Sequence, residues 1–239
     1  MKTQNILLTR SQDRGHTKFD WLDSRHSFSF GDFYDPQRMG FGPLRVVNED
    51  KVMPGGGFPS HPHKNMEIVS IVLKGQLEHK DSMGNGRVIE SGDIQYMSAG
   101  SGVIHSEFNP SESETAHFLQ IWFEPEERDL PPRYEDKKLL SAEANTWRLV
   151  LSGNGRDESI AIRRHVELLS ATLEGGHKLS LENSPDLPKQ WVLMLSGSLD
   201  VAGEGLVAGD SLALTEPGEV AFENKGSTPS NFMVFSLPV

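Results

Sequence analysis

The chain contains no cysteine. That absence removes disulfides, zinc–thiolate sites, iron–sulfur clusters and thiol nucleophiles in one step, and leaves histidine and carboxylate to hold any metal. No stretch approaches the roughly 20 apolar residues of a membrane span, and the opening MKTQNILLTR has too short an apolar run for a signal peptide. A cytoplasmic protein that meets no membrane is the expectation. Basic charge is scarce: 23 Lys plus Arg stand against 34 Asp plus Glu, a formal net charge of −11. Neutralising a phosphate backbone would then depend on a local basic patch, so direct binding of nucleic acid is not expected. Long stripes at helical spacing are missing as well.

What the chain does have is β-punctuation. Its 239 residues suit two domains of ordinary size or one large all-β domain. The apolar runs are strand-sized, IVSIVL at 68–73, VLML at 192–195 and FMVFSL at 232–237, and glycine and proline recur between them. Gly84-Asn85-Gly86 and Gly153-Asn154-Gly155 offer residues that tolerate positive φ where hairpins would turn. This reads as an all-β sandwich or barrel. The segment EPEERDLPPRYEDKKLLSAEAN at 124–145 is charged and carries two adjacent prolines; it reads as a linker with one short helix around Lys137 to Ala144. The expected division is a metal-binding domain over 1–135, a linker over 136–146 and a second domain over 147–239.

An internal repeat supports two domains. VLKGQLEH at 72–79 matches MLSGSLDV at 194–201, and VIESGD at 88–93 matches GLVAGD at 205–210. The offset is 122 from Gly75 to Gly197 and 117 from Gly92 to Gly209, so the hairpin between them is five residues shorter in the second copy. Loops tolerate such a difference.

The chemistry lies in the first copy. Gly55-Gly-Gly-Phe-Pro-Ser-His61-Pro-His63 places two histidines at i and i+2, on the same face of an extended segment. Gly100-Ser-Gly-Val-Ile-His105-Ser-Glu107 repeats the arrangement with a carboxylate second. If the segments lie side by side, His61, His63, His105 and Glu107 converge inside a small barrel. Three imidazoles and one carboxylate on a divalent first-row ion leave coordination positions open, as in sites that activate oxygen. The other histidines, His16, His26, His79, His117, His165 and His177, lack such an i, i+2 partner and are read as structural. Phe58, Met66, Met97 and Phe108 are read as core side chains that could also line an apolar pocket over the metal.

At these residues a family resemblance becomes specific. Gly55-x5-His61-x-His63-x3-Glu67 resembles the first cupin motif, and Gly92-x5-Ser98-Ala99-Gly100-x4-His105-x3-Asn109 resembles an expanded form of the second. The departures are a Gly75 one residue late after Glu67, serine at 98 where proline is usual, and two extra residues between Gly100 and His105. RHSFSFGDFYDPQRMGFGPLRVVNED at 25–50, HPHKNMEIVSIVLKGQLEHKDSMGN at 61–85 and SGDIQYMSAGSGVIHSEFNPS at 91–111 are similar to pirin, the bicupin family that includes bacterial quercetinases. The resemblance implies two tandem cupin jelly-roll domains, with His61, His63, His105 and Glu107 as the metal ligands. Glu67 is not a ligand in pirins; its parity suits either a role behind the ligands or a structural salt bridge. Offsetting the ligands into the second copy puts Asn183, Pro185, Phe222 and Asn224 in their places, so no equivalent ion is expected there.

The resemblance further implies a metal-dependent dioxygenase that opens a flavonol such as quercetin across its 2,3-bond with release of carbon monoxide, Glu107 acting as ligand and base. The implied partners are a small aromatic substrate and O2. Iron(II) is the first choice of ion, with Mn, Co, Ni, Cu and Zn as alternatives, because all accept imidazole and carboxylate. A rival reading is a metal- or redox-sensing regulator of the pirin type that binds another protein without turnover, and a third is a purely structural zinc. A monomer is expected.

Overall fold

The computed structural model describes residues 6–139, 143–215 and 218–239. After β1 (Ile6–Thr9), the chain runs through β2 (Gly15–Lys18), β3 (Leu22–His26), β4 (Leu44–Val52), β5 (Gly57–His63), β6 (Glu67–Lys74), β7 (Gln76–Asp81), β8 (Gly86–Glu90), β9 (Asp93–Ser98), β10 (Val103–Phe108), β11 (Ala116–Phe123) and β12 (Arg133–Lys138). It continues with β13 (Arg148–Ser152), β14 (Ile160–Ala161), β15 (Glu167–Leu173), β16 (Lys178–Glu182), β17 (Lys189–Ser196), β18 (Ser198–Val201), β19 (Glu204–Val207), β20 (Ser211–Leu214), β21 (Glu219–Glu223) and β22 (Ser230–Leu237). Among the described residues no helix is long and apolar enough to cross a membrane.

Two compact units form, each a pair of facing sheets. Residues 15–139 with Ile162–Arg164 make the first; its sheets have the orders β12-β9-β6-β11-β4-β3-β2 and β5-β10-β7-β8. Residues 6–14, 143–161 and 165–239 make the second, with the orders β1-β20-β17-β22-β15-β13-β14 and β16-β21-β18-β19. The two orders correspond strand for strand, apart from the last strand of each larger sheet, and β1 stands where β12 stands in the first. This is the jelly roll twice over. The shared Gly turn has the same cause in both copies: Gly75 (φ 75°) and Gly197 (φ 80°) are left-handed, and a Cβ there would lie 2.9 Å from the Thr115 carbonyl oxygen or 2.7 Å from that of Pro229.

Several local expectations need correction. β1 pairs with β20 and so is part of the second unit. The charged run expected to turn helical around residue 137 is instead strand over Arg133–Lys138, which pairs with β9, and Leu139, Glu143 and Ala144 are not helical; residues 140–142 lie outside the described residues. Its charged residues suit an edge strand, where one side meets water. Gly84-Asn85-Gly86 does lie at a hairpin, β7 to β8. Gly153-Asn154-Gly155 does not, because β13 and β14 are parallel.

Alternation places the site. In β4 the side chains of Leu44, Val46, Asn48, Asp50 and Val52 are all buried, and in β10 those of Val103, His105 and Glu107 are buried while Ile104 is exposed. Period 2 therefore carries polar side chains into the interior of the first unit at the same parity as apolar ones. A core of Leu22, Val52, Val72, Leu77, Ile89 and Phe118 lies at one part of that interior and Ile68, Met97, Ala99 and Val103 at another.

Candidate metal centre

Three neighbouring strands each send an i, i+2 pair into the first unit. β10 lies between β5 and β7, with His105 opposite His61 on one side and opposite Asp81 on the other, and Glu107 opposite His79. Between His105 and Glu107 the pairing with β5 slips, since their partners there are His61 and Phe58, three residues apart. This bulge keeps His61 and His63 aimed at His105. Gly57 permits the close approach beyond it, because a Cβ there would sit 2.4 Å from the Glu107 carbonyl oxygen.

The imidazoles of His61, His63 and His105 converge, with ring centroids 4.5 to 4.8 Å apart. Their hydrogen bonds show which nitrogens are bare. His61 Nδ1 is 2.7 Å from the Pro59 carbonyl oxygen and must donate to it, so its Nε2 carries a lone pair when the ring is neutral. That Nε2 faces His105 Nε2 at 3.0 Å, and His63 Nε2 is buried with no hydrogen-bond partner. Burial first, then the charges of His105 and His61, push the His63 imidazole down to about 4. Burial, then His61 and His79, push His105 down to about 3. Both are neutral near pH 7, so a cation would displace no proton from them. A buried unpartnered nitrogen on His63 next to the facing Nε2 atoms of His61 and His105 fits a borderline divalent transition ion.

Glu107 is buried beside this cluster. Its Oε2 accepts from Gln120 Nε2 at 2.7 Å, and its Oε1 accepts from Ser70 Oγ at 3.1 Å and Gln95 Nε2 at 3.5 Å. A second tight grouping joins Glu107 and His105 to His79. The structure thus brings His61, His63 and His105 together and sets Glu107 next to His105. Glu67 stands apart. It is buried, hydrogen-bonded by Tyr96 Oη and by Ser98 Oγ at 2.9 Å, and burial raises its carboxyl above the usual range.

His79 is the residue that reading the sequence missed. It had a signal, since Asp81 stands at i+2, the same spacing as His105 and Glu107. Both side chains are fully buried and His79 Nε2 lies 3.0 Å from Asp81 Oδ2. His16, His117 and His177 keep the structural reading, held by Asp23, Glu49 and the Gly175 carbonyl oxygen respectively.

The cluster opens into a cavity of about 470 Å³, within the usual range of small-molecule sites. Phe19, Phe30, Phe58 and Trp122 supply aromatic wall, and Ser24, His26, Asn48 and Asp50 a polar one. Of the four side chains read as core that could also line the pocket, Phe58 lines the cavity; Met66 and Met97 pack with Ile68 and Val103 in the core, and Phe108 is not part of the lining.

Among the described residues the second unit does not repeat this cluster, although its equivalent positions are not those given by a fixed offset. Asn109 Nδ2 donates to the Val52 and Glu114 carbonyls, and Asn224 Nδ2 donates in the same way to Leu173 and Thr228. Asn224 therefore corresponds to Asn109, not to Glu107. The second copy is two residues shorter here, 15 from Gly209 to Asn224 against 17 from Gly92 to Asn109. By strand pairing, Val220 and Leu181 replace His105 and His61, while Phe222 replaces Glu107. These side chains belong to an apolar cluster with Phe232 and Trp147. Titration of metal-free protein with Co(II) is accordingly expected to show one ion per chain; a second ion held by the second unit would contradict the replacement.

Comparison with known proteins agrees with this architecture. The family model for pirin matches residues 9–123, and that for the quercetinase C-terminal cupin domain matches residues 149–237. A quercetin 2,3-dioxygenase of Escherichia coli K12 is 39% identical over 237 residues, 98% of this chain and 99% of that one. The bacterial pirin YhhW of Escherichia coli, solved in complex with nickel(II), superposes with a TM-score of 0.92 at 38% identity, over 98% of this chain and 99% of its own. A quercetin 2,3-dioxygenase from Acinetobacter baumannii shares the fold, with a TM-score of 0.80 at 22% identity, over 98% of this chain and 87% of its own.

Proposed function

The chain belongs to the pirin family, and on that premise we propose that it is a metal-dependent dioxygenase that cleaves a flavonol such as quercetin across the 2,3-bond and releases carbon monoxide. The observation that carries the reading is the meeting of bare imidazole nitrogens at a cavity walled by aromatic rings, with Glu107 buried alongside. His61, His63, His105 and Glu107 would hold the ion, with iron(II) the first choice. When bound, the ion supplies Lewis acidity toward the substrate's 3-oxygen and a redox partner for dioxygen.

The chain's own residues do the rest. Phe30, Phe58 and Trp122 give a planar substrate flat apolar surface and keep bulk water from the reacting bond. Asn48 and Asp50 on the polar wall offer partners to ring hydroxyls. Glu107 takes the proton of the 3-hydroxyl, which makes the ring system electron-rich toward O2. Gln120, Ser70 and Gln95 fix the carboxylate while it does so.

The overall conversion balances as flavonol plus O2 giving the ring-opened ester plus CO. Wild-type protein loaded separately with iron, manganese, nickel and copper is expected, with at least one of these ions, to bleach the flavonol absorbance band in air. Oxygen uptake and CO should then equal the flavonol lost. Absence of turnover with every ion would reject the enzymatic reading and favour the protein-binding regulator.

A further inference from the structure

We propose that Asp81 and His79 form a hydrogen-bonded chain that sets the tautomer and ring orientation of His105 and strengthens it as a metal donor, so that β7 is a working part of the centre. The inference rests on the reading of His61, His63 and His105 as metal-binding, and it concerns positioning residues, not further ligands.

The chain starts at a fixed anion. Asp81 Oδ1 accepts from the backbone N–H of Met83 at 2.9 Å and of Asn85 at 3.0 Å, and Oδ2 accepts from Asn85 Nδ2 at 2.8 Å. Three N–H donors on its two oxygens favour the ionised carboxylate. An ionised carboxylate only accepts. His79 Nε2, 3.0 Å from Oδ2, must therefore carry the hydrogen, and in the neutral ring Nδ1 is then a bare acceptor.

Two groups face that acceptor. His105 Nδ1 is 3.4 Å away and Gln95 Nε2 is 3.3 Å away. Gln95 is oriented from its other end, where its Oε1 accepts from Tyr134 Oη at 3.3 Å, so its amide nitrogen points to His79. Tyr134 also stacks on the His79 ring, with centroids 4.9 Å apart. Gln95 Nε2 has Glu107 Oε1 as a second acceptor at 3.5 Å, so the single lone pair of His79 Nδ1 is shared between Gln95 and His105 Nδ1, which carries its hydrogen toward it and leaves Nε2 bare and facing His61. Without His79 the other tautomer of His105, with hydrogen on Nε2, would cost little and would block the ion. A ligating imidazole whose far nitrogen donates to a good acceptor is both oriented and more basic, and loss of such a partner typically costs 10- to 100-fold in metal affinity.

Three observations on full-length protein, two with Co(II) as probe and one with zinc, test this. His79→Phe keeps a ring against Tyr134 and removes the acceptor; it is expected to weaken Co(II) binding about 10- to 100-fold and to shift the visible Co(II) bands. His79→Gln restores an acceptor for His105 Nδ1 and is expected to recover most of the affinity. Equal affinity and spectrum in His79→Phe and wild type would overturn the proposal, as would a His79→Gln variant no better than His79→Phe. If His79→Phe binds no ion at all, or the wild-type spectrum reports His79 as a ligand, the residue coordinates and the proposal fails. The third observation needs no variant to fold: ring nitrogen shifts of zinc-loaded wild type should show hydrogen on His105 Nδ1 and His79 Nε2, and the opposite tautomer of either overturns it. Wild type that binds no Co(II) would sink the metal-centre reading together with this one, whereas binding indifferent to position 79 sinks this one alone.

Discussion

His63→Ala protein is expected to purify nearly free of metal under conditions in which the wild type carries about one equivalent. The argument is the orphaned nitrogen. His63 Nε2 is buried and meets no hydrogen-bond donor, an arrangement that costs free energy unless something pairs with it. Burial and two neighbouring imidazoles hold its ring neutral, down to about 4, so the lone pair stands ready. On the proposed ligand set, removing His63 should cost more than the roughly 10- to 100-fold lost with an outer partner. The measurement is elemental analysis, with competition against a chromophoric chelator for the residual affinity. His177→Ala, in the second unit, should keep wild-type metal content and serves as the control. Full occupancy of His63→Ala would remove this histidine from the ligand set.

The same variant carries a stability consequence of opposite sign. In metal-free protein the deletion relieves an unpartnered buried nitrogen beside two other imidazoles, so apo His63→Ala should melt no lower than apo wild type. The wild type alone should gain on adding Co(II), because an ion that binds only the folded chain stabilises it by mass action. A melting temperature that rises equally in both would place the ion elsewhere.

Much of this was legible in the sequence, and the reasons differ by element. Strand-sized apolar runs and the paired motifs around Gly75 and Gly197 implied two copies of one β-fold, because both glycines answer the same steric demand. His61, His63 and His105 were legible because period 2 puts alternate residues on one face. β1 was not, since a four-residue strand that pairs with residues 211–214 leaves no local trace of its distant partner. A fixed offset aligns Asn224 with Glu107, because only the hydrogen bonds of Asn109 and Asn224 locate the indel within the second copy. Asp81 stands beside a Gly-Asn-Gly turn, where a carboxylate is ordinary; it holds that turn and His79 at once. The cavity walls were also out of reach, since Phe30 and Trp122, in T-shaped contact at 5.5 Å, are 92 residues apart in sequence.

Glu107→Gln is expected to keep metal better than His63→Ala while flavonol turnover falls by roughly 10²- to 10⁴-fold, the usual worth of general acid–base catalysis. Glutamine preserves the length of the side chain and one oxygen. That oxygen can still accept from Gln120 Nε2 if the new amide nitrogen turns toward Ser70, whose hydroxyl can rotate to accept it and donate to Gln120 Oε1, 3.1 Å away, at the cost of the long 3.5 Å contact from Gln95 Nε2. The pocket therefore tolerates the substitution, and what is lost is the charge and the proton acceptor. Two measurements separate those losses from a failure to bind. Anaerobic titration with the flavonol should give similar saturation in both proteins, yet only the wild type should show the red-shifted band of the 3-oxyanion. Under air, bleaching and CO release should fall together in the variant. Should Glu107→Gln turn over like the wild type and show the same anion band, the proton must go to another acceptor and Glu107 is reduced to a ligand.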